Sequence, residues 1–341
     1  MKVSHRLTLP RLLLGFFATA VAAAALAAPP TGPDERREAD WRNGAIVDQM
    51  LVDRFVPAAN LDAKRLHYPP PKVLRDWQES AKPGVDLADA KLNSRELDFS
   101  GGDLQGRSTR LDHIQQPGAD VLYLNPVHLA DTNHKHDAFD FKAIFKAVSP
   151  EDGSRADLKR LAADVHQRGM KLVLDGVFKH MGRNAPKFQD ALNNPRSRWR
   201  DWFATGPQYA GGARVWTGFQ NLPELNLENP EVRAYLHGSP DSVVRSDLPD
   251  GVDGWRLDTA FEPGHRYLRT LADAAHQQKP GALVVGEIVN GPGAWLQAMD
   301  GVMNFALRQI VPGVAQRELP AARSARLFRQ RLGAVHIFRM F

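Results

Sequence analysis

The 341-residue sequence predicts an α/β fold, a parallel sheet with helices on its outside. Short apolar runs recur along the chain, each closed by a polar or Gly-containing turn, and amphipathic stretches lie between them. Strand, helix, strand in repetition makes a parallel sheet with covered faces. At this level a doubly wound sheet and a barrel are both open.

In chain order, Lys2, Arg6 and Arg11 precede "LLLGFFATAVAAAALA" and the small-residue segment Ala25-Leu26-Ala27. This pattern predicts a signal peptide over residues 1–27, hence a secreted or periplasmic protein with no membrane partner once the leader is cleaved. A Pro-rich linker over 28–40 leads into a main unit over 41–320. The first strand is "AIVDQMLV", and an irregular region from Val56 to Ser100 follows it. "DVLYLNP" and "KLVLDGVF" are the second and third strands. Between them "SRADLKRLAADVHQRG" sets Leu158, Leu161, Ala162 and Val165 on one helical face, with Gly169 as the stop. "GVDGWRLD", "ALVVGEIV" and "GVMNFAL" complete six strands.

Asp258 and Glu287 lie 29 residues apart, close to one βα unit, whereas Asp175 and Asp258 lie 83 apart. The excess is an insert over about 181–250, rich in Pro, Gly and Asn and carrying Trp199, Trp202 and Trp216. It reads as a loop-rich subdomain leaning over the strand ends, where an α/β barrel builds its site. A closed barrel of that kind has eight strands, two more than are visible.

The formal charge of +5 includes three leader cations, too weak a bias to call for a nucleic-acid partner. There is no cysteine, so the core holds the fold without disulfides.

Residues two apart in a strand share a face, so Arg256 and Asp258 point together, and the cation favours an ionised Asp258 able to act as a nucleophile. Glu287 ends the next strand after the apolar "LVVG", a setting expected to raise its pKa and keep it protonated as a general acid. Two carboxyl groups on adjacent strand ends can sit about 5 Å apart, the separation of a retaining glycosidase. An ordinary internal salt bridge explains Arg256 and Asp258 equally well, without Glu287.

The ordered set "DGVFKH" (175–180), "GWRLDTA" (254–260) and "VVGEIV" (284–289) resembles the signature regions of the α-amylase superfamily, glycoside hydrolase family 13. "GGDLQGRSTRLDHI", "LYLNPVHLADTNHKHD" and "LPELN" are similar to its neopullulanase and cyclomaltodextrinase branch. The resemblance implies a (β/α)8 TIM-type barrel with the insert after its third strand. It further implies Asp258 as nucleophile, Glu287 as acid/base and Arg256 as the residue orienting Asp258. Asp175 and His180 would line the subsite of the scissile sugar, His180 donating to a sugar hydroxyl, with His134 and Asn125 supporting the rim. The substrate class would be α-glucan oligosaccharides, cleaved at α-1,4 and in some members α-1,6 bonds.

The chain departs from the family pattern in several places. No His-Asp segment follows Glu287, although the family places a transition-state-stabilising Asp there, and the Arg-rich tail over 321–341 has no acidic residue. The expectation is a barrel incomplete at its C-terminus, truncated before its last two strands, with an aberrant or disordered tail. Such a chain is either an active glycosidase or glucanotransferase, or an inactive remnant that at most binds α-glucans. His136 stands where the family has a Tyr that stacks under the sugar. Lys179 stands at an Asn that ligates calcium in many members, and an ammonium cannot ligate a cation. No cofactor is expected to be required, calcium is disfavoured at that position, and the oligomeric state is left open.

Overall fold

The computed structural model describes residues 32, 39–80, 82–88, 92–142, 153–289, 291–303, 305–316, 320 and 337–340. The expected leader and most of the linker lie outside the described residues. The chain divides into Met1–Asp40 and Trp41–Phe341, and everything below concerns the second unit.

Six consecutive strands form a curled parallel sheet: β1 (Ile46–Met50), β2 (Val121–Leu124), β3 (Lys171–Gly176), β4 (Gly254–Leu257), β5 (Leu283–Gly286) and β6 (Gly301–Met303). Each pairs with the next, the order expected of an incomplete (β/α)8 barrel. The sheet of six is open between β1 and β6. A short parallel strand, β7 (Ile337–Met340), spans that gap, pairing Ile337 with Val302 and Arg339 with Ile46. This strand falls within the tail over 321–341, of which 321–336 and 341 lie outside the described residues. Seven ring strands are present among the described residues, one short of eight.

Helices cover the outside. Helix α1 (Arg155–Gln167) starts at a capping box in which Ser154 Oγ accepts from the Asp157 amide and the Asp157 carboxylate accepts from the Ser154 amide. Its buried stripe is the expected set, Leu158, Leu161, Ala162 and Val165, and Gly169 turns the chain at φ +73°. Helix α2 (His265–Gln278) buries Leu268, Leu271, Ala272 and Ala275 between β4 and β5. These side chains join Leu122, Leu124, Leu172, Leu174, Trp255 and Val284, the outward residues of the strands, in one large core. Gly254 lies so close to β5 that a Cβ there would meet the Leu283 carbonyl at 2.3 Å, which explains a glycine inside a strand.

The alternate strand residues face the lumen. Val47, Val121, Tyr123, Val173, Leu283 and Val285 form a second, smaller apolar cluster. They line, with Met303 and Arg256, a small hollow that communicates with solvent. Just before β4, Asp253 ties the sheet to the outer helices, binding Lys279, His166 and the Leu172 amide. No helix of the described residues is long and apolar enough to cross a membrane.

The insert is loop-rich as expected, with one helix of eight residues, Pro186–Asn193, single-turn elements and isolated bridges. Trp202 is buried against Trp199, ring centroids 4.6 Å apart, so two of its three tryptophans serve its own packing. Leu225 of the "LPELN" segment donates its amide to the Lys179 carbonyl at 2.8 Å and docks the insert on the end of β3.

Candidate active site

The pairing register assembles the site. Arg256 on β4 lies opposite Asp175 on β3 and opposite Val285 on β5. Two places further along, the same β4–β5 register sets Asp258 beside Glu287. The ladder continues to that point, the Glu287 amide donating to the Leu257 carbonyl at 2.9 Å and the Asp258 amide to the Gly176 carbonyl at 3.1 Å. Both carboxylates therefore rise from neighbouring strand ends on the lumen side, at the C-terminal rim.

One guanidinium joins three carboxylates. Arg256 Nη1 donates to Asp175 Oδ1 at 2.9 Å and to Asp258 Oδ1 at 3.0 Å, and Nη2 reaches Glu287 Oε2 at 2.7 Å. The Asp175 carboxylates and the neighbouring anions hold the Arg256 guanidinium charged despite its burial. The Asp175 side chain is fully covered, and its Oδ2 accepts from the Tyr123 hydroxyl at 2.5 Å. Asp175 thus lies a layer beneath the rim, where it holds Arg256. Asp258 and Glu287 keep partial exposure, 10% and 20% of their side chains.

The surroundings of Glu287 differ from the expected apolar pocket. Its Oε2 faces Arg256 and also accepts from the Thr259 amide at 3.0 Å. Leu283 and Val285 share the lumen face with Glu287 but lie deeper in the barrel, so the carboxylate at the strand end meets polar partners that strand hydrophobicity did not predict.

His180 is buried, and burial pushes its pKa well below the ordinary imidazole range. Its Nε2–H donates to the His136 carbonyl at 3.1 Å, and its ring stacks on Trp216 at 5.8 Å. His134 contacts Glu96 Oε1 at 3.0 Å, and Asn125 Oδ1 accepts from Gln49 Nε2 at 3.1 Å.

Several site neighbours escaped the sequence reading. Tyr123 could have been found from period-two alternation along "DVLYLNP", which sends Val121 and Tyr123 inward together. Glu96 and Glu262 come from irregular segments and carried no such signal. Lys179 Nζ binds Glu262 Oε2 at 2.6 Å, and Trp216 Nε1 donates to Glu262 Oε1 at 3.0 Å, with Lys179 Nζ 4.2 Å from the indole centroid. With an ammonium already neutralising the nearby carboxylate, these residues do not fit a calcium ion at this position.

Comparison with known proteins agrees with this geometry. The family profile "Alpha amylase, catalytic domain" matches residues 49–332. Neopullulanase 2 of Thermoactinomyces vulgaris is 32% identical over 86% of this chain and 48% of its own length. A cyclomaltodextrinase of a Bacillus species is 33% identical over 80% and 46%. Among solved structures, the cyclic α-maltosyl-(1→6)-maltose hydrolase of Arthrobacter globiformis in complex with maltose superposes with a TM-score of 0.73 at 30% identity, covering 87% of this chain and 63% of that one. The chain belongs to the α-amylase family, glycoside hydrolase family 13. Within it the chain falls in the neopullulanase/cyclomaltodextrinase-like branch, with an incomplete barrel sheet. It spans about half the length of the curated relatives it matches.

Proposed function

We propose that this protein is a retaining glycoside hydrolase that cleaves α-1,4 glucosidic bonds of malto-oligosaccharides and cyclodextrins. The observation that carries the reading is the shared register of Asp258 and Glu287, whose carboxylates meet the two arms of one guanidinium and so can flank a single anomeric centre. The names of the relatives, neopullulanase and cyclomaltodextrinase, support the α-glucan class. In this mechanism Asp258 attacks the anomeric carbon while Glu287 protonates the leaving oxygen. Glu287 then takes a proton from the water that releases the sugar. Arg256 and the Thr259 amide both engage Oε2 of Glu287, which leaves Oε1 to carry the proton given to the glycosidic oxygen.

A second reading, a glucan-binding chain without turnover, is favoured by the Arg256–Glu287 ion pair, which already occupies one oxygen of the candidate acid. The deciding measurement is release of reducing sugar from maltotriose and β-cyclodextrin. The hydrolase reading expects release that drops at least a thousandfold in Asp258→Asn. Maltose binding by calorimetry with no release above buffer would establish the binding reading instead.

A further inference from the structure

Residues 132–137 form a tightly pinned turn over the site. Asn133 Nδ2 donates to the Arg95 and Asp98 carbonyls at 2.7 and 2.8 Å, and Thr132 Oγ1 accepts from the Lys135 amide at 3.1 Å. Lys135 holds φ +60°, a left-handed conformation rare for a residue with a Cβ. The turn throws two imidazoles, His134 and His136, to one side, with their Nδ1 atoms 3.0 Å apart.

Hydrogen bonding assigns the protons of both rings in their neutral form. The His136 backbone amide donates to His134 Nδ1 at 3.2 Å, so that nitrogen is an acceptor. The His134 proton therefore sits on Nε2, facing Glu96 Oε1 at 3.0 Å. Burial would raise the pKa of Glu96, but the bonds from His134 and the Asn93 amide hold it below the usual carboxylate value. His136 Nδ1 faces two acceptors at 3.0 Å, His134 Nδ1 and the His134 carbonyl, and must carry the hydrogen. Neutral His136 is then left with a bare Nε2, and that lone pair points at Asp258 Oδ1 from 3.9 Å. Two acceptors that face each other make no hydrogen bond until one takes a proton.

We propose that His136 is a proton-controlled positioning residue for Asp258, silent when neutral and a second cationic contact on Oδ1 when protonated. That oxygen already accepts from Arg256 Nη1, so an imidazolium would tie down the candidate nucleophile and lower its reactivity as pH falls. The charged and titratable groups around His136 are few. Asp258 lies beyond the end of β4, with Arg256 behind it. His180 lies beyond the end of β3 and donates to the His136 carbonyl, with Lys179 beside it. His134, Lys135 and Asp137 share its turn, and Glu96 acts through His134. His180 stays neutral, so among the facing groups Asp258 is the anion whose charge couples most directly to His136.

The binding arm of the test needs no activity. Histidine-selective nitrogen-15 NMR of the full chain, with His136→Tyr to assign the resonance, should show a neutral ring protonated at Nδ1. Its titration midpoint should fall in Asp258→Asn, which removes the facing charge. A midpoint unmoved by Asp258→Asn, or a neutral ring protonated at Nε2, overturns the proposal. The rate arm rests on the hydrolase reading: kcat/KM for maltotriose should fall on the acid side with the same midpoint. His136→Tyr should move that limb down by at least one unit, and a limb left in place also overturns the proposal. If the chain releases no sugar at all, the hydrolase reading fails while the NMR arm still decides the coupling.

Discussion

Arg256 is the residue on which the site turns, because its side chain is almost wholly buried and its charge is shared by three carboxylates. Removing one partner of a buried ion pair leaves the other desolvated and unpaired. Arg256→Ala should therefore cost about 3 to 5 kcal/mol of stability, chiefly through the fully covered Asp175. Urea denaturation followed by tryptophan fluorescence would show it, and an unchanged midpoint would contradict this account. The pairing of Arg256 with Asp258 was legible, since two residues apart on a strand share a face whatever the fold. The reach of the same guanidinium to Asp175 and Glu287 was not, because it depends on the register of three strands, with Asp175 81 residues before Arg256.

Between elements, the start of α1 meets the turn Leu248–Asp250 that leads into β4. Arg155 and Lys159 from the helix bind Asp250, and Arg155 lies 3.7 Å from Asp247. Asp247 is nonetheless buried with its Oδ2 unpartnered, and burial raises its pKa to about 7. Between the unfolded carboxyl value near 4 and that folded value, the native chain holds a proton that the unfolded chain has released. Stability from this group is therefore full below the lower pKa and declines as pH rises towards 7. Asp247→Asn should raise the melting temperature at pH 8 and leave it nearly unchanged at pH 4, a comparison that calorimetry makes directly. The helix itself was readable from its capping Ser154, its apolar spacing and Gly169. Its electrostatic seat was not, because Asp247 and Asp250 belong to a loop-rich insert with no periodicity to place them.

For the whole molecule, ring closure rests on the backbone pairing of β7 with both β1 and β6. Proline lacks the donor a doubly paired strand needs. Phe338→Pro should destabilise the chain and leave the edges of β1 and β6 as templates for association, giving concentration-dependent oligomers in size-exclusion light scattering. A monomer of unchanged stability would show that the closing strand contributes little. The six consecutive strands and the order of the α-amylase motifs could be read directly, since buried parallel strands are continuous apolar runs. The seventh could not be placed, because its four residues follow an Arg-rich stretch with neither a turn signal nor an acidic strand end.

The hollow in the lumen has a mechanical consequence. Its walls are Val47, Val121, Tyr123, Val173, Leu283 and Val285 with Arg256 and Met303, and between them a small space stays unfilled. Hydrostatic compression favours whichever state wastes less space, and unfolding surrenders such voids to water. This barrel should thus yield to pressure sooner than one whose interior layers are completely filled.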